Sequence, residues 1–321
     1  MYKYNEKKNL WFFSVNSHSN WGPLNLLKYI AQQFEHDCSY DEPMAGHTSW
    51  GIGGPVDLFF SPKNRDELVS FLSQIDSRIP ITWIGKGTNM LVRDRGVRGV
   101  IISTKSFLQD ITKISHQNYT VEAGVSCMDL ALFCQKINIG PAAFFSGIPG
   151  SIGGALVMNA GAFGHETWNQ VIKVEVIDQK GRIQYLDSDQ FRVSYRTVNF
   201  PFPLWFLSCV MSFSDKDKTT IKDLKELRNQ RIKKQPLTED TCGSVFKNPT
   251  DHFAGELIEQ AGLKGFKIGS ASISKQHANF IINEGGAKAE DIEKLIDHVR
   301  TVIKKKYDID LHTEVRIIGE K

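Results

Sequence analysis

From residue 137 to residue 164 the chain carries no charged side chain, and within that run stand Gly140, Gly147, Gly150, Gly153, Gly154, Gly161 and Gly164, with Pro141 and Pro149. The run is longer than the roughly 20 residues that a membrane-spanning helix needs. Its glycines and prolines exclude that use, because they would break a helix repeatedly and leave backbone groups unsatisfied in lipid. An uncharged, glycine-dense stretch in a globular protein implies main chain pressed closely against something flat or anionic.

The remaining composition is that of an ordinary globular protein: 321 residues, 39 Lys plus Arg against 36 Asp plus Glu, and 41% hydrophobic residues. Disordered, collagen-like and fibrous classes are excluded, and the length suggests two or three domains. A formal net charge of +3 gives no reason to expect a nucleic-acid partner, yet it does not oppose a phosphorylated small molecule. Cys38, Cys127, Cys134, Cys209 and Cys242 form an odd set without CxxC or zinc spacing. Reduced thiols in a cytoplasmic protein are expected, with no metal. The N-terminus is mixed in charge and lacks the long apolar core of a secretory signal. Neither a membrane partner nor a stable oligomer is expected.

Residues 1–43 read as an extension, with a loop over 16–25 before a helix over 26–34. From residue 44 onward short β-rich runs alternate with glycine turns, at 56–60, 81–84, 97–102 and 119–123. Helices are expected over 65–75 and 128–136. Charge density rises after residue 213, where Ile221, Leu224 and Leu227 mark a helix that runs into Arg228, Arg231, Lys233 and Lys234 and stops at Pro236. Ile292, Leu295, Ile296, Val299, Val302 and Ile303 follow the spacing of an amphipathic helix. Alternation from Leu311 to Ile318 predicts a strand with Glu314 and Arg316 on the face opposite the apolar one. The division that follows is an extension at 1–43, a first domain at 44–213 and a second at 214–321.

Two glycine-rich motifs carry the candidate chemistry. Residues 81–90, ITWIGKGTNM, are a strand followed by a glycine turn, in which successive N–H groups could converge on a phosphate. The turn fits neither GxGxxG nor a P-loop, and a plain hairpin is the competing reading. The second motif, SGIPGSIGGALVMNAGAFG from Ser146, adds Ser151 and Asn159 without a charge, which suits a cradle for a pyrophosphate and the edge of a heterocycle.

With these stand GIGG at 51–54, SYR at 194–196, GSVFKNP at 243–249, AGELIEQAGLKG at 254–265, SKQHANFIIN at 274–283 and EVR at 314–316. In this order the motifs resemble the UDP-N-acetylenolpyruvoylglucosamine reductases, flavoenzymes of peptidoglycan precursor synthesis, over about residues 44 to 318. The resemblance implies an α+β fold: a vanillyl-alcohol-oxidase or PCMH type FAD-binding domain, then a smaller α+β substrate-binding domain. It implies noncovalent FAD held by Gly85, Lys86, Gly87, Thr88, Asn89 and Met90, and by Gly147, Pro149, Gly150, Ser151, Gly153, Gly154, Asn159 and Gly161. Thr88 replaces the family's usual Ser, and Lys86 its usual Gly. No match to the tyrosine-bearing loop of the first subtype is found, so the chain resembles the second.

The implied reaction is NADPH-driven reduction of UDP-N-acetylglucosamine enolpyruvate to UDP-N-acetylmuramate. It requires a hydride at the β-carbon, stabilisation of an enolate-like charge and a proton at the α-carbon. By resemblance Ser244 donates the proton while Arg196 and Glu314 flank the enolpyruvyl group. Arg196 matches a carboxylate as a permanent cationic fork. Glu314 would be repulsive if ionised, so a protonated Glu314 is expected. Lys234, Lys247, Asn248 and Arg316 read as substrate contacts, with Lys275, His277 and Asn279 as further candidates. Cys242 reads as packing. The competing functions are another FAD oxidoreductase of the same fold and a noncatalytic nucleotide-sugar binder.

Overall fold

A computed structural model describes residues 4–5, 10–11, 31–34 and 36–321. The loop expected over 16–25 and most of the helix expected over 26–34 lie outside the described residues. Phe34 packs edge-on against Phe60 and Phe71, so the end of the leader is fastened to the body.

The first sheet comprises β1 (Cys38–Pro43), β2 (Pro55–Phe60), β3 (Ile81–Ile84) and β5 (Val97–Ser103), in the order β1-β2-β5-β3; β4 (Met90–Val92) lies outside it. Only the β1–β2 pair is antiparallel. Strands buried on both faces read as continuous apolar runs, as Val56 to Phe60 and Val100 to Ile102 do. Leu58, Phe60, Val100 and Ile102 face α1 (Arg65–Gln74), where Leu68, Phe71 and Leu72 are buried. Asn64 caps α1 by accepting the Glu67 N–H, and Ile75, expected in the helix, is the C-cap. Val56, Phe59 and Ile101 face the other way, towards Met90 and Ile318.

The second sheet is antiparallel: β6 (Ile111–Lys113), β7 (Asn118–Glu122), β8 (Val171–Ile177), β9 (Ile183–Asp187) and β10 (Trp205–Ser212), in the order β9-β8-β10-β7-β6. Its inner face shares a core with α2 (Cys127–Lys136) and α3 (Ile152–Met158). The charge-free run thus divides into a 3-10 turn at Ala143–Gly147, α3 and the two-residue strand Gly161–Ala162. Among the described residues no helix is long and apolar enough to cross a membrane. Arg65 at the start of α1 donates to Glu175 at 2.7 Å and to Glu122 at 2.9 Å, tying the two sheets together.

The C-terminal part holds α4 (Ile221–Lys234), α5 (Ala254–Gln260), a small sheet of β11 (Lys267–Ile268), β12 (Ala271–Ile273) and β13 (Ile281–Asn283), α6 (Ala289–Tyr307) and β14 (Arg316–Ile318). Its core, built on Ile292, Leu295, Ile296, Val299 and Ile303 of α6, also takes in Trp50, Ile52 and Leu91 from the first half. Trp50 donates its indole N–H to the Ile281 carbonyl, and Asp94 accepts from the Ala289 and Glu290 N–H groups at the start of α6. β14 pairs in parallel with β4.

One competing reading is excluded and one expectation changes. β3 and β4 do not form a hairpin, because β3 pairs with β5 and β4 with β14. The strand expected over 311–318 shortens to β14, because residues 312–314 are drawn into backbone pairing with 245–247. The Lys247 N–H donates to His312 at 2.9 Å, the Glu314 N–H donates to Val245 at 2.8 Å, and Phe246 bridges to Thr313. Glu314 therefore turns inward, while Arg316 is exposed.

Candidate active site

The floor of the site is bare main chain. A Cβ on Gly85 would lie 2.4 Å from Ser151 Oγ, and one on Gly150 would lie 3.2 Å from Thr88 Oγ1, so the turn after β3 and the loop before α3 are in direct contact. Gly87 has φ +63, and its Cβ would lie 1.9 Å from the His47 carbonyl oxygen, a position that excludes every side chain. Gly147 packs under the Phe163 ring, Gly153 against Ala123, and Gly161 against His165 and Arg196. A Cβ on Gly154 would meet only Ser151 Oγ within 4 Å. Pro149 precedes this contact; Ser151 caps α3 by accepting the Gly154 N–H, Lys86 is exposed, and Met90 opens β4. The N–H groups of Gly150, Gly153 and Gly154 bond within the protein, so a pyrophosphate fits here through close approach to bare main chain beside the neutral Thr88 and Ser151 hydroxyls.

The turn after β3 is also tied to the second half. The Cys242 thiol, pushed up to about 11 by burial, faces the Gly87 and Met90 carbonyls at 3.6 and 3.5 Å, which fits packing rather than nucleophilic chemistry. Beside it, the buried Thr241 hydroxyl has no hydrogen-bond partner among the described residues, and an orphaned donor here fits a bound polar group. The Asn89 amide donates to Met158 Sδ at 2.9 Å and to the Glu314 carbonyl at 3.0 Å, while the Arg316 N–H donates to the Asn89 carbonyl. Asn89 therefore links the glycine turn to Glu314 as well as lining it.

Arg196 has a left-handed backbone, φ +51, which points its guanidinium into the site. Its Nε donates to Glu314 Oε1 at 3.1 Å, Nη1 to the Asn159 carbonyl at 3.3 Å and Nη2 to the Gly161 carbonyl at 2.6 Å. A guanidinium has five donors, so two Nη hydrogens remain beyond these contacts. Burial holds the Glu314 carboxyl above the usual glutamate range, against the opposing pull of Arg196 and Lys247. Burial holds the Lys247 ammonium below the usual lysine range, Glu314 opposes the shift, and Arg316 and Arg196 reinforce it. Lys247 donates to Thr197 Oγ1 at 3.0 Å. Ser244 is half-buried and follows Gly243, whose φ is +75.

The other expected contacts divide. Asn159 is wholly buried, its amide donating to Glu166 and the Ser194 carbonyl and accepting from the Trp168 N–H, so its side chain is engaged by protein. Asn248 accepts the Ala254 N–H at the start of α5. His277 is held below the usual histidine range by burial, packs edge-on against Phe280 and accepts the Asn279 N–H. Asn279 binds the backbone of Phe246. Lys234 ends α4, and Lys275 is exposed with its stem against Gly265. These two ends meet where Gln276 donates to the Ile232 carbonyl.

Arg231 was not singled out from the sequence. Its guanidinium is pushed below the usual arginine range by burial alone, reaches the Ser146 carbonyl at 3.4 Å and pairs with no carboxylate among the described residues. In sequence it is one of several cations on a basic helix, and only packing singles it out. Among the described residues no His, Cys, Asp or Glu group could hold a metal ion.

A relative in Alkalilimnicola ehrlichii named UDP-N-acetylenolpyruvoylglucosamine reductase is 44% identical over 280 residues, 87% of this chain and 94% of the relative. The chain belongs to the UDP-N-acetylenolpyruvoylglucosamine reductase family. A reductase of the same name from Legionella pneumophila strain Corby is 44% identical over 88% of this chain and 92% of its own length. The C-terminal domain model of the family matches residues 235–318, and an FAD binding domain model matches 56–187. The crystal structure of the reductase from Thermus caldophilus superposes with a TM-score of 0.74 at 27% identity, over 87% of this chain and 98% of that one. The α+β fold with a PCMH-type FAD-binding domain is that of the reductase family, and Arg196, Glu314 and Lys247 converge beside its glycine floor.

Proposed function

We propose that this chain reduces the enolpyruvyl double bond of UDP-N-acetylglucosamine enolpyruvate to give UDP-N-acetylmuramate, with NADPH as the reductant, FAD as the noncovalent cofactor and Ser244 as the proton donor. The observation that carries the reading is a half-buried Arg196–Glu314 pair, with side chains 17% and 16% exposed, set beside the glycine floor. Gly85, Gly87 and Thr88 of the turn after β3, with the Ser151 hydroxyl, would hold the pyrophosphate, while Gly150, Gly153 and Gly154, whose N–H groups bond within the protein, would let it approach bare main chain closely. Bound FAD would supply the hydride chemistry, relaying a hydride from the nicotinamide to the β-carbon of the enolpyruvyl group.

The protein's part is to orient, charge-stabilise and protonate. The two remaining Nη hydrogens of Arg196 bind the substrate carboxylate and stabilise the enolate charge that grows on it. Burial favours the neutral form of Glu314, which would accept from Arg196 through one oxygen and donate through the other without opposing that charge. Ser244 Oγ–H gives its proton to the α-carbon and recovers one from water. Arg231, Lys247 and Arg316 supply positive charge to the substrate's phosphates and carboxylate, with Lys234 and Lys275 at the outer edge.

We assign the chain to peptidoglycan precursor synthesis, and so to cell-wall growth, cell shape and division, as a cytoplasmic monomer. Residues 44–213 serve the cofactor and 214–321 the substrate, after an extension at 1–43, a division supported by the separate matches at 56–187 and 235–318. The test is an absorbance spectrum of the purified protein, followed by anaerobic reduction with NADPH and reoxidation by the enolpyruvyl substrate. A yellow protein whose colour is bleached by NADPH and restored by substrate is expected. Colourless material that takes up no FAD would overturn the reading and favour a nucleotide-sugar binder; flavin that other acceptors reoxidise but this substrate does not would favour another oxidoreductase.

A further inference from the structure

We propose that Asn279 is a positioning residue for Ser244. Asn279 is 4% exposed, and its amide meets both backbone groups of Phe246: Nδ2 donates to the Phe246 carbonyl at 2.8 Å, and Oδ1 accepts the Phe246 N–H at 2.9 Å. The backbone carbonyl of Asn279 accepts the Val245 N–H at 2.9 Å. On the opposite edge, the Val245 carbonyl accepts the Glu314 N–H at 2.8 Å and the Lys247 N–H donates to His312 at 2.9 Å. Residues 245–247 are thus held as the middle of three backbone segments, and one side chain does the work of a neighbouring strand along one edge. Ser244 enters this clamp directly from Gly243, which has φ +75, and among the described residues nothing beyond the chain neighbours of Gly243 lies within 4 Å of the position its Cβ would take. The serine therefore stands between two anchors, the buried Cys242 against the Gly87 and Met90 carbonyls and the 245–247 clamp that Asn279 holds.

The inference rests on the assignment of Ser244 as proton donor. Proton delivery to carbon is sensitive to placement, and a shift of about 1 Å can cost on the order of a hundredfold in rate. Asn279→Leu removes both side-chain bonds at similar volume. Asn279→Asp keeps the acceptor and sets a carboxylate oxygen against the Phe246 carbonyl. Neither change touches the glycine floor.

The experiment uses full-length, FAD-loaded protein and measures flavin absorbance, anaerobic reduction by NADPH, and the rate and substrate dependence of reoxidation by the enolpyruvyl substrate. Reoxidation at saturating substrate is expected to fall by about ten- to a hundredfold in Asn279→Leu, and by less in Asn279→Asp. The flavin spectrum and NADPH reduction should stay unchanged, and the loss in saturating rate should exceed any change in KM that Lys247, in the same segment, brings with it. The double variant Ser244→Ala/Asn279→Leu should be no slower than Ser244→Ala alone, because both act on one step. A raised KM with unchanged saturating rate would make Asn279 a direct substrate contact and overturn the proposal, as would equal loss of both half-reactions. If Asn279→Leu fails to fold, Asn279→Asp decides the matter on the same readouts. Should Ser244→Ala reoxidise normally, the proton-donor assignment fails; should Ser244→Ala be blocked while both Asn279 variants reoxidise normally, this inference alone fails.

Discussion

Glu314 shows how one residue type is given a different chemistry by its surroundings. A solvated glutamate is ionised at neutral pH, whereas burial here raises its pKa despite the adjacent Arg196. Because the shift is upward, the protonated form persists to higher pH than in a solvated glutamate and is lost as pH rises through the raised value. If the neutral acid is the working form, reoxidation by substrate declines along that alkaline limb. Glu314→Gln is expected to flatten the limb in a pH profile of the oxidative half-reaction; an unaltered profile would remove Glu314 from this role. Ser244→Ala is expected to retain flavin and still oxidise NADPH slowly, while product formation falls by about a hundredfold or more, the scale of general acid catalysis. Product analysis by chromatography checks this, and normal turnover would exclude Ser244. The sequence motifs pointed to these residues, but not to Arg231 or to the committed amides of Asn159 and Asn279. Whether a polar side chain faces a ligand or its own backbone depends on contacts between residues remote in the chain.

At the scale of elements, most of the helices and the main strands were legible because period and caps are local. α1 and α6 follow their apolar stripes, and β2 and β5, which pair in parallel, hold the continuous apolar runs expected of buried strands. Partnering was not legible. Alone, the motif at 81–90 reads as a hairpin more readily than as a ligand turn, and the hairpin is excluded only because β3 and β4 are taken by different strands. Gly87 is the residue on which that turn depends. Gly87→Ala places a Cβ at φ +63 and 1.9 Å from the His47 oxygen, so a loss of more than about 1 to 2 kcal/mol is expected from the backbone alone. Thermal denaturation and flavin content after gel filtration measure it, and a variant with full flavin content and unchanged Tm would contradict the tight approach.

Across the whole molecule the two halves are joined through the site. β14 completes β4, Trp50 enters the C-terminal core, Asp94 caps α6, and Asn89 and Cys242 connect the glycine turn to the segments bearing Glu314 and Ser244. A chain ending at residue 313 loses Glu314 and β14 together, and also the Gly319 carbonyl that accepts from Arg93. Its flavin affinity is expected to fall by at least about tenfold, roughly 1.4 kcal/mol, as read by fluorescence titration; unchanged affinity would mean that the cofactor turn stands without the C-terminal strand. By itself the sequence determined where bare main chain gathers, that α6 is amphipathic and which family the motifs resemble. Each of these depends on residues close together in the chain. Tertiary structure alone decided that Glu314 is buried against Arg196, that residues 245–247 lie between 279 and 312–314, and that Arg231 is withdrawn from solvent. A pKa and a hydrogen-bond partner are set by which distant segments pack together, and local spacing carries no record of that choice.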